Sequence, residues 1–354
     1  MNRRYPTKVV HVDNFDCIVI GAGLAGLTAA RYLQSAGIET LVIESSDRPG
    51  GRVKSDLIDG FTLDHGFQVI NPKYPNIRNS GVMDSLQFTP IVHGLIPFRL
   101  VETITKPGDL MAPFLRGVFL TEPSRVSPRV RVEIYKSFLQ GRPGLVDGGA
   151  SAFSSALAYP VTDIHYGETV HRIEDQNVIT DHGSYQARFI MIATDPVTAT
   201  QLTPEVGVVR MHSSTTWYHS TDNQIAGADR FAVSKSGSLI NSIAISDVVE
   251  SYAPAGKQLF SSTSLLPISE SEVRRELARI WKGDTSTWEF VARYEIKKSL
   301  PEHPLGKSLY STVQIKDALY VAGDHRGYPS QQGAMESGKR AARSIIERVH
   351  PRRW

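Results

Sequence analysis

Residues 16–52 read DCIVIGAGLAGLTAARYLQSAGIETLVIESSDRPGGR. An apolar run ends at Ile20, and Gly21-Ala22-Gly23-Leu24-Ala25-Gly26 follows it directly. Leu24, Leu27, Ala30 and Leu33 then recur at helical spacing, with Gly37 as a natural stop. ETLVIE (39–44) is a second apolar strand. Strand, glycine turn, helix and strand make a βαβ unit, and such apolar strands suit a parallel sheet buried on both faces. In that setting GxGxxG has a physical reading. Gly21 permits the tight turn, Gly23 lets the backbone approach a pyrophosphate, and Gly26 lets helix and strand close up. The phosphates then meet the positive end of the helix dipole. Glu44 closes the second strand, where a carboxylate accepts from adenosine ribose hydroxyls and repels a 2′-phosphate. Just beyond it, Gly51 and Arg52 offer bare backbone and a guanidinium fork, positioned to complete a dinucleotide cradle.

Working outward, 354 residues are comfortable for two domains. A hydrophobic fraction of 41% and a charged fraction of 21% exclude wholesale disorder. A net charge of +3 is too balanced for nucleic acid as the main partner. The one cysteine, Cys17, excludes an internal disulfide and a cysteine-based zinc site. The 11 histidines show no HxxxH or HExxH spacing, so no metal is expected. No GxSxG elbow supports hydrolase chemistry. The sequence has no run of 18 apolar residues, and residues 1–16 have no apolar core of a secretory signal. The expectation is a cytoplasmic, soluble protein whose first 14 residues are a loose extension.

Eight prolines between Asn71 and Pro128 predict loops, edge strands and short helices there. Helices are expected at 130–140, 151–160 and 271–281, and from about Gln332 to Val349. ETVHRIED, VITDHG and ARFIMIATDP (168–196) read as a strand, a hairpin and a return into the main sheet. The alternating stretches of 207–300 predict an antiparallel sheet with one solvated or ligand-facing side.

The 16–52 segment resembles the FAD-binding start of the flavin-containing amine oxidase superfamily, which includes protoporphyrinogen oxidases, phytoene-desaturase-like enzymes and renalases. DGFTLDHGFQVI (59–70), LVDGGASAFSSALA (145–158), 171–196 and LYVAGDHRGYPSQQGAMESGKRAARSI (319–345) resemble further segments of that family. The resemblance implies an α/β fold: a Rossmann-like FAD-binding domain with a second α+β substrate domain on an antiparallel sheet. The first domain would comprise 1–70, 145–200 and 305–354, the second 71–144 and 201–304. The implied cofactor is non-covalently held FAD.

Residue by residue, Gly323-Asp324 matches the segment at the ribityl chain and phosphate. Gly333, Ala334 and Met335 match the helix start whose N–H groups face the flavin pyrimidine. Val170 matches the position at the adenine, and Gly66, Phe67, Gln68 and Val69 the segment near the isoalloxazine ring. Tyr328 is a candidate for the substrate cavity. The lysine that many amine oxidases place near flavin N5 has no counterpart: no lysine occurs from Ser137 to Ser234, and Lys297 and Lys298 do not match. No catalytic acid or base stands out. The implied activity is hydride transfer from a substrate C–H, next to nitrogen or within a carbon skeleton, to flavin N5. A membrane-surface desaturase or isomerase of a lipophilic substrate, and a flavoprotein scaffold or redox sensor, remain alternatives. The partner expected is a small-molecule substrate. The basic C-terminal helix reads mainly as a solvated face, and peripheral membrane contact stays open.

Overall fold

A computed structural model describes residues 13–66, 69–91, 99–101 and 111–351. The expected extension lies outside these residues except for Asp13 and Asn14, which already belong to the first strand. β1 (Asp13–Ile20), α1 (Leu24–Ser35) and β2 (Thr40–Glu44) form the βαβ unit. The hairpin of β3 (Ser55–Ile58) and β4 (Phe61–Asp64) follows. The proline-rich stretch holds α2 (Pro75–Ser80), β5 (Phe88–Pro90), β6 (Arg99–Leu100), α3 (Ala112–Phe119) and α4 (Pro128–Gln140). Each of these helices has proline in its first turn, where the missing N–H has no partner to lose. β7 (Gly144–Val146) pairs with β5, and α5 (Gly149–Ala158) follows. Then come β8 (Ile164–Tyr166), β9 (Val170–Glu174), β10 (Asn177–Thr180), β11 (Ser184–Ile192) and α6 (Pro196–Leu202). The remainder is β12 (Met211–Thr221), β13 (Ala232–Val233), β14 (Leu239–Ala244), β15 (Gln258–Ser264), α7 (Glu270–Trp281), β16 (Glu289–Pro301), β17 (Leu319–Val321) and α8 (Gln331–Val349).

Among the described residues these strands build two large sheets. The first runs β8-β2-β1-β11-β10-β9, with β17 also paired to β11. β8, β2, β1, β11 and β17 are parallel, and β10 and β9 add the antiparallel hairpin. The central strands are apolar because both faces are covered. Val19, Val42 and Met191 face the core formed with α1, α5 and α8, while Ile18, Leu41 and Ile190 join the core of the other face. α8 lies along α1, so the two ends of the chain share one layer.

The second sheet runs β16-β12-β15-β14-β13-β6. Of the two expected alternatives, a solvated or a ligand-facing side, β14 and β15 fit the second: they are buried at every position, and Asn241 and Thr263 line a cavity. Alternation marks two different covers. Trp217, Ser242 and Ser262 face α7, where Trp281 Nε1 donates to Ser242 Oγ at 3.0 Å and Trp217 Nε1 to Ser264 Oγ at 3.1 Å. Tyr218 and Ile243, one residue on, pack into the core shared with α3 and α4. On the α7 face serine serves this sheet because its hydroxyls accept these tryptophan N–H groups, and Ser242 and Ser262 pair with each other at 2.8 Å.

Candidate active site

The glycine turn is built as its spacing requires. β1 ends at Ile20, Gly21 takes φ +105°, and Gly23 precedes the first residue of α1. A methyl on Gly26 would overlap the Gly21 carbonyl oxygen, so helix and turn close up only with glycine there. Gly23 has nothing within 4 Å of where a side chain would project. No side chain caps α1, so its first N–H groups keep their hydrogen-bonding capacity. The second glycine pair locks alongside: the Gly50 N–H donates to the Ala22 carbonyl at 2.8 Å, and Gly50 and Gly51 both have positive φ.

Glu44 is buried at the end of β2. Its Oε2 accepts from the Ala22 N–H at 2.7 Å, and its Oε1 from the Ser46 N–H at 2.9 Å. A carboxylate offers about four acceptor positions. Oε1 also accepts from Ser46 Oγ at 2.7 Å, so the capacity left for a ribose hydroxyl is on Oε2. Arg52 forms a two-pronged pair with Asp324, each contact 2.8 Å, and also donates to the Ser299 carbonyl. This pair joins the glycine cradle to the β17–α8 connection across the whole length of the sequence. It was not foreseen, since the two residues are expected separately on a ligand.

All of this lines one cavity of about 590 Å³. Gly21, Gly23, Leu24, Ala25, Glu44, Gly51 and Arg52 form one end, with Val170 beside them. Gly66, Val69, Gly323, Asp324 and Ala334 continue the wall. Phe67 and Gln68 lie outside the described residues. Ala22 and Gly26 shape the turn from behind the wall. Gly333 and Met335 are buried beneath the α8 terminus. The N–H groups of Gly333 and Ala334 are already engaged, by Ser330 Oγ at 2.9 Å and the Ser330 carbonyl at 3.0 Å. Ser330 caps the helix, so the earlier residues Gln331 and Gln332 hold its free N–H ends. Tyr328 is not on the wall. It is buried in the second core near Tyr310, and Pro329, Ser330 and Gln331 border the cavity instead.

The far chamber is walled by Phe114, Val118, Ile134, Phe138 and Phe231, with Asn241 and Thr263 on the sheet. None of these carried a signal in the sequence. Lys298 also reaches the cavity, with its Nζ 3.0 Å from Asp195. Asp195 in turn caps α6. His65 borders the cavity and shares a 2.7 Å hydrogen bond with Asp56, while its ring lies tilted against Tyr294, the centroids 4.3 Å apart. Despite its burial, Asp56 is held down to about 2 by hydrogen bonds from His65, Arg48 and Tyr294. Asp64 ends β4, just before His65. Burial pushes it up to about 6, against hydrogen bonds from the Ala150 N–H, Ser55 Oγ and Tyr252 OH. Among the described residues no group of three or more His, Cys, Asp or Glu is placed to hold a metal. None of the described helices is long and apolar enough to cross a membrane.

Residues 24–80 and 102–346 match the flavin-containing amine oxidoreductase family. The chain belongs to that family. It is 45% identical over 71 residues to Polyamine oxidase 2 of Arabidopsis thaliana, covering 18% of this chain and 14% of that protein. The chain spans less than a third of the length of the curated relatives it matches. The fold is similar to an oxidoreductase from Methanosarcina mazei, with a TM-score of 0.72, 17% identity, and coverage of 94% of this chain and 99% of the other. It is also similar to a putrescine oxidase redesigned in its cofactor binding, with a TM-score of 0.74 and 16% identity over 95% and 99% of the two chains. Membership in the family implies FAD as the cofactor. The residues present fit FAD: bare backbone at Gly23, an uncapped helix start and a buried carboxylate lie along one wall.

Proposed function

We propose that this chain is an FAD-dependent oxidoreductase that takes a hydride from a substrate C–H. The observation that carries this is the continuity of the cavity, in which a dinucleotide cradle opens into an apolar chamber under α3 and α4. Bound FAD supplies the hydride acceptor, N5 of its isoalloxazine ring. The protein supplies position. Leu24 and Ala25 N–H groups and the α1 dipole hold the pyrophosphate, with Glu44 on the adenosine ribose and Val170 by the adenine. Asp324, steadied by Arg52, would hold the ribityl chain, and the N–H groups at the α8 N-terminus would favour negative charge on a bound flavin. The aromatic walls of the chamber orient the substrate and exclude water.

The matching division places 1–70, 145–200 and 305–354 in an FAD-binding domain and 71–144 and 201–304 in a substrate domain. The first sheet draws its strands from the former and the second from the latter, which supports it. The test is anaerobic: the FAD-loaded protein is mixed in turn with amines, dihydronicotinamides and polyenes. Bleaching of the flavin absorption by one class is expected. A fully loaded protein that none of them bleaches would point to a flavoprotein without turnover.

A further inference from the structure

Strand register brings three polar side chains into one row. Asn241 of β14 stands opposite Thr263 of β15, and Thr263 opposite Thr216 of β12. Paired residues project to the same face. Their neighbours Ser242, Ser262 and Trp217 point to α7, so this row points the other way, to the chamber side. Asn241 and Thr263 both line the cavity, and each is 4% exposed. Asn241 Oδ1, Thr263 Oγ1 and Thr216 Oγ1 are buried without a hydrogen-bond partner. A buried oxygen left in that state is costly, and a partner entering from the cavity removes the cost. α3 passes close over this spot at Gly117, where even a methyl would stand 3.3 Å from Asn241 Nδ2. A larger residue would cover the amide.

The surroundings decide what partner fits. Phe114, Val118, Ile134, Phe138 and Phe231 make the chamber walls apolar. The carboxylates that reach the cavity are Glu44, Glu168, Asp195 and Asp324 among the described residues. All lie at the cradle side, and all are engaged: Glu44 by Ala22, Glu168 by Thr180 at 2.6 Å, Asp195 by Lys298 and Asp324 by Arg52. An ammonium ion entering the chamber would lose its hydration with no carboxylate to receive it.

Resting on the reading of this cavity as the substrate site, we propose that Asn241 and Thr263 hold an uncharged donor–acceptor group, a hydroxyl or carboxamide, on an otherwise apolar substrate. Asn241 Oδ1 accepts from that group and Thr263 Oγ1 donates to it. Cationic amines are disfavoured by the same wall.

Calorimetric titration of the FAD-saturated full chain with octanamide and with octylammonium, at pH 7, tests this. Octanamide should bind at least tenfold more tightly. Asn241→Leu should remove that advantage by weakening octanamide alone, with the FAD content unchanged. Thr263→Val, nearly isosteric, should weaken octanamide several-fold and serves if Asn241→Leu does not fold. Equal or tighter binding of octylammonium, no binding of either probe, or full octanamide affinity in a folded variant would overturn the proposal. The heat signal does not depend on flavin colour. A chain that takes up no FAD sinks the functional reading and this proposal together, whereas an FAD-loaded chain without the amide preference sinks this proposal alone.

Discussion

Glu44 is a ligand candidate and a structural strut at once, and the two roles separate by substitution. Its Oε2 receives the Ala22 N–H that shapes the glycine turn. Glu44→Ala removes that acceptor and leaves a buried N–H unpaired, so it should loosen the turn as well as the cofactor. Glu44→Gln keeps an acceptor oxygen and loses the charge. Its NH2 then faces the Ser46 donors, so the variant should lower the melting temperature of the FAD-free chain less than Glu44→Ala does and weaken FAD about tenfold, as followed by flavin fluorescence quenching. Undiminished FAD affinity in Glu44→Gln and Glu44→Ala alike would remove Glu44 from the ribose site. Asp64 gives a pH signature. Its carboxyl is raised by burial from an ordinary 3.8 to about 6. A group raised on folding contributes stability that is complete below the unfolded value, near pH 4, and is lost as pH rises through about 6. Several buried histidines pull the opposite way; burial pushes His325 down to about 4. The total profile therefore mixes both signs, and the difference between the wild-type chain and Asp64→Asn isolates one. The wild type should lose about 2–3 kcal/mol relative to Asp64→Asn between pH 4 and pH 7. Melting temperatures across that range check it, and parallel curves would show that Asp64 titrates normally.

At the scale of elements, glycine positions along α1 make contrasting predictions. Gly338 of α8 crosses α1 so closely that a methyl there would overlap the Ala25 carbonyl oxygen. Gly338→Ala should push the helices apart and cost about 1–3 kcal/mol in denaturant unfolding. Gly23 has an ordinary φ of −74° and open space beyond it. Gly23→Ala should fold as stably as the wild type yet fail to retain FAD, because its methyl occupies the phosphate approach. Stability that falls in Gly23→Ala, or FAD retained by it, would contradict the cradle. The same elements show what a sequence reveals. The βαβ unit was legible because periodicity, glycine spacing and Glu44 all fall within 37 consecutive residues. α4, α5, α7 and α8 were legible from their local patterns. The Asn241–Thr263–Thr216 row was not, because its membership depends on the register of strands separated by long loops. Nor was the burial of β14 and β15 on both faces. Alternation left a solvated and a ligand-facing side equally open, and it could not show that Trp217 and Trp281 donate to Ser264 and Ser242 on the opposite face. Tyr328 misled for a related reason: proximity in sequence to Asp324 and α8 does not decide which side of the chain a ring takes.

The whole molecule is closed by contacts between its ends and its middle. Arg52 near the start pairs with Asp324 near the end, and both reach the cavity. Asp64 binds the α5 start at Ala150 and Tyr252 of the second half. A cofactor lying along this seam touches elements from across the chain, so its loss should loosen the whole rather than one loop. FAD added at a hundred times its dissociation constant should raise the stability by about 2.7 kcal/mol. Thermal melts of stripped and reloaded protein measure this, and coincident melts would show that the folded chain does not bind FAD. The hold is non-covalent. Thiol attachment would need Cys17, which is fully buried on β1 between Thr40 and Phe189 of the neighbouring strands. Burial also pushes its thiol far up, so almost no thiolate forms to react. The histidine candidate is His65, which borders the cavity. Its Nε2 is engaged by Asp56 and its ring packs at a tilt against Tyr294, so it is held as part of the β3–β4 network. Precipitating the loaded protein with acid should leave a yellow supernatant over a colourless pellet. A pellet that keeps its flavin, and a flavin-bearing peptide containing Cys17 or His65, would show that this packing does not protect them.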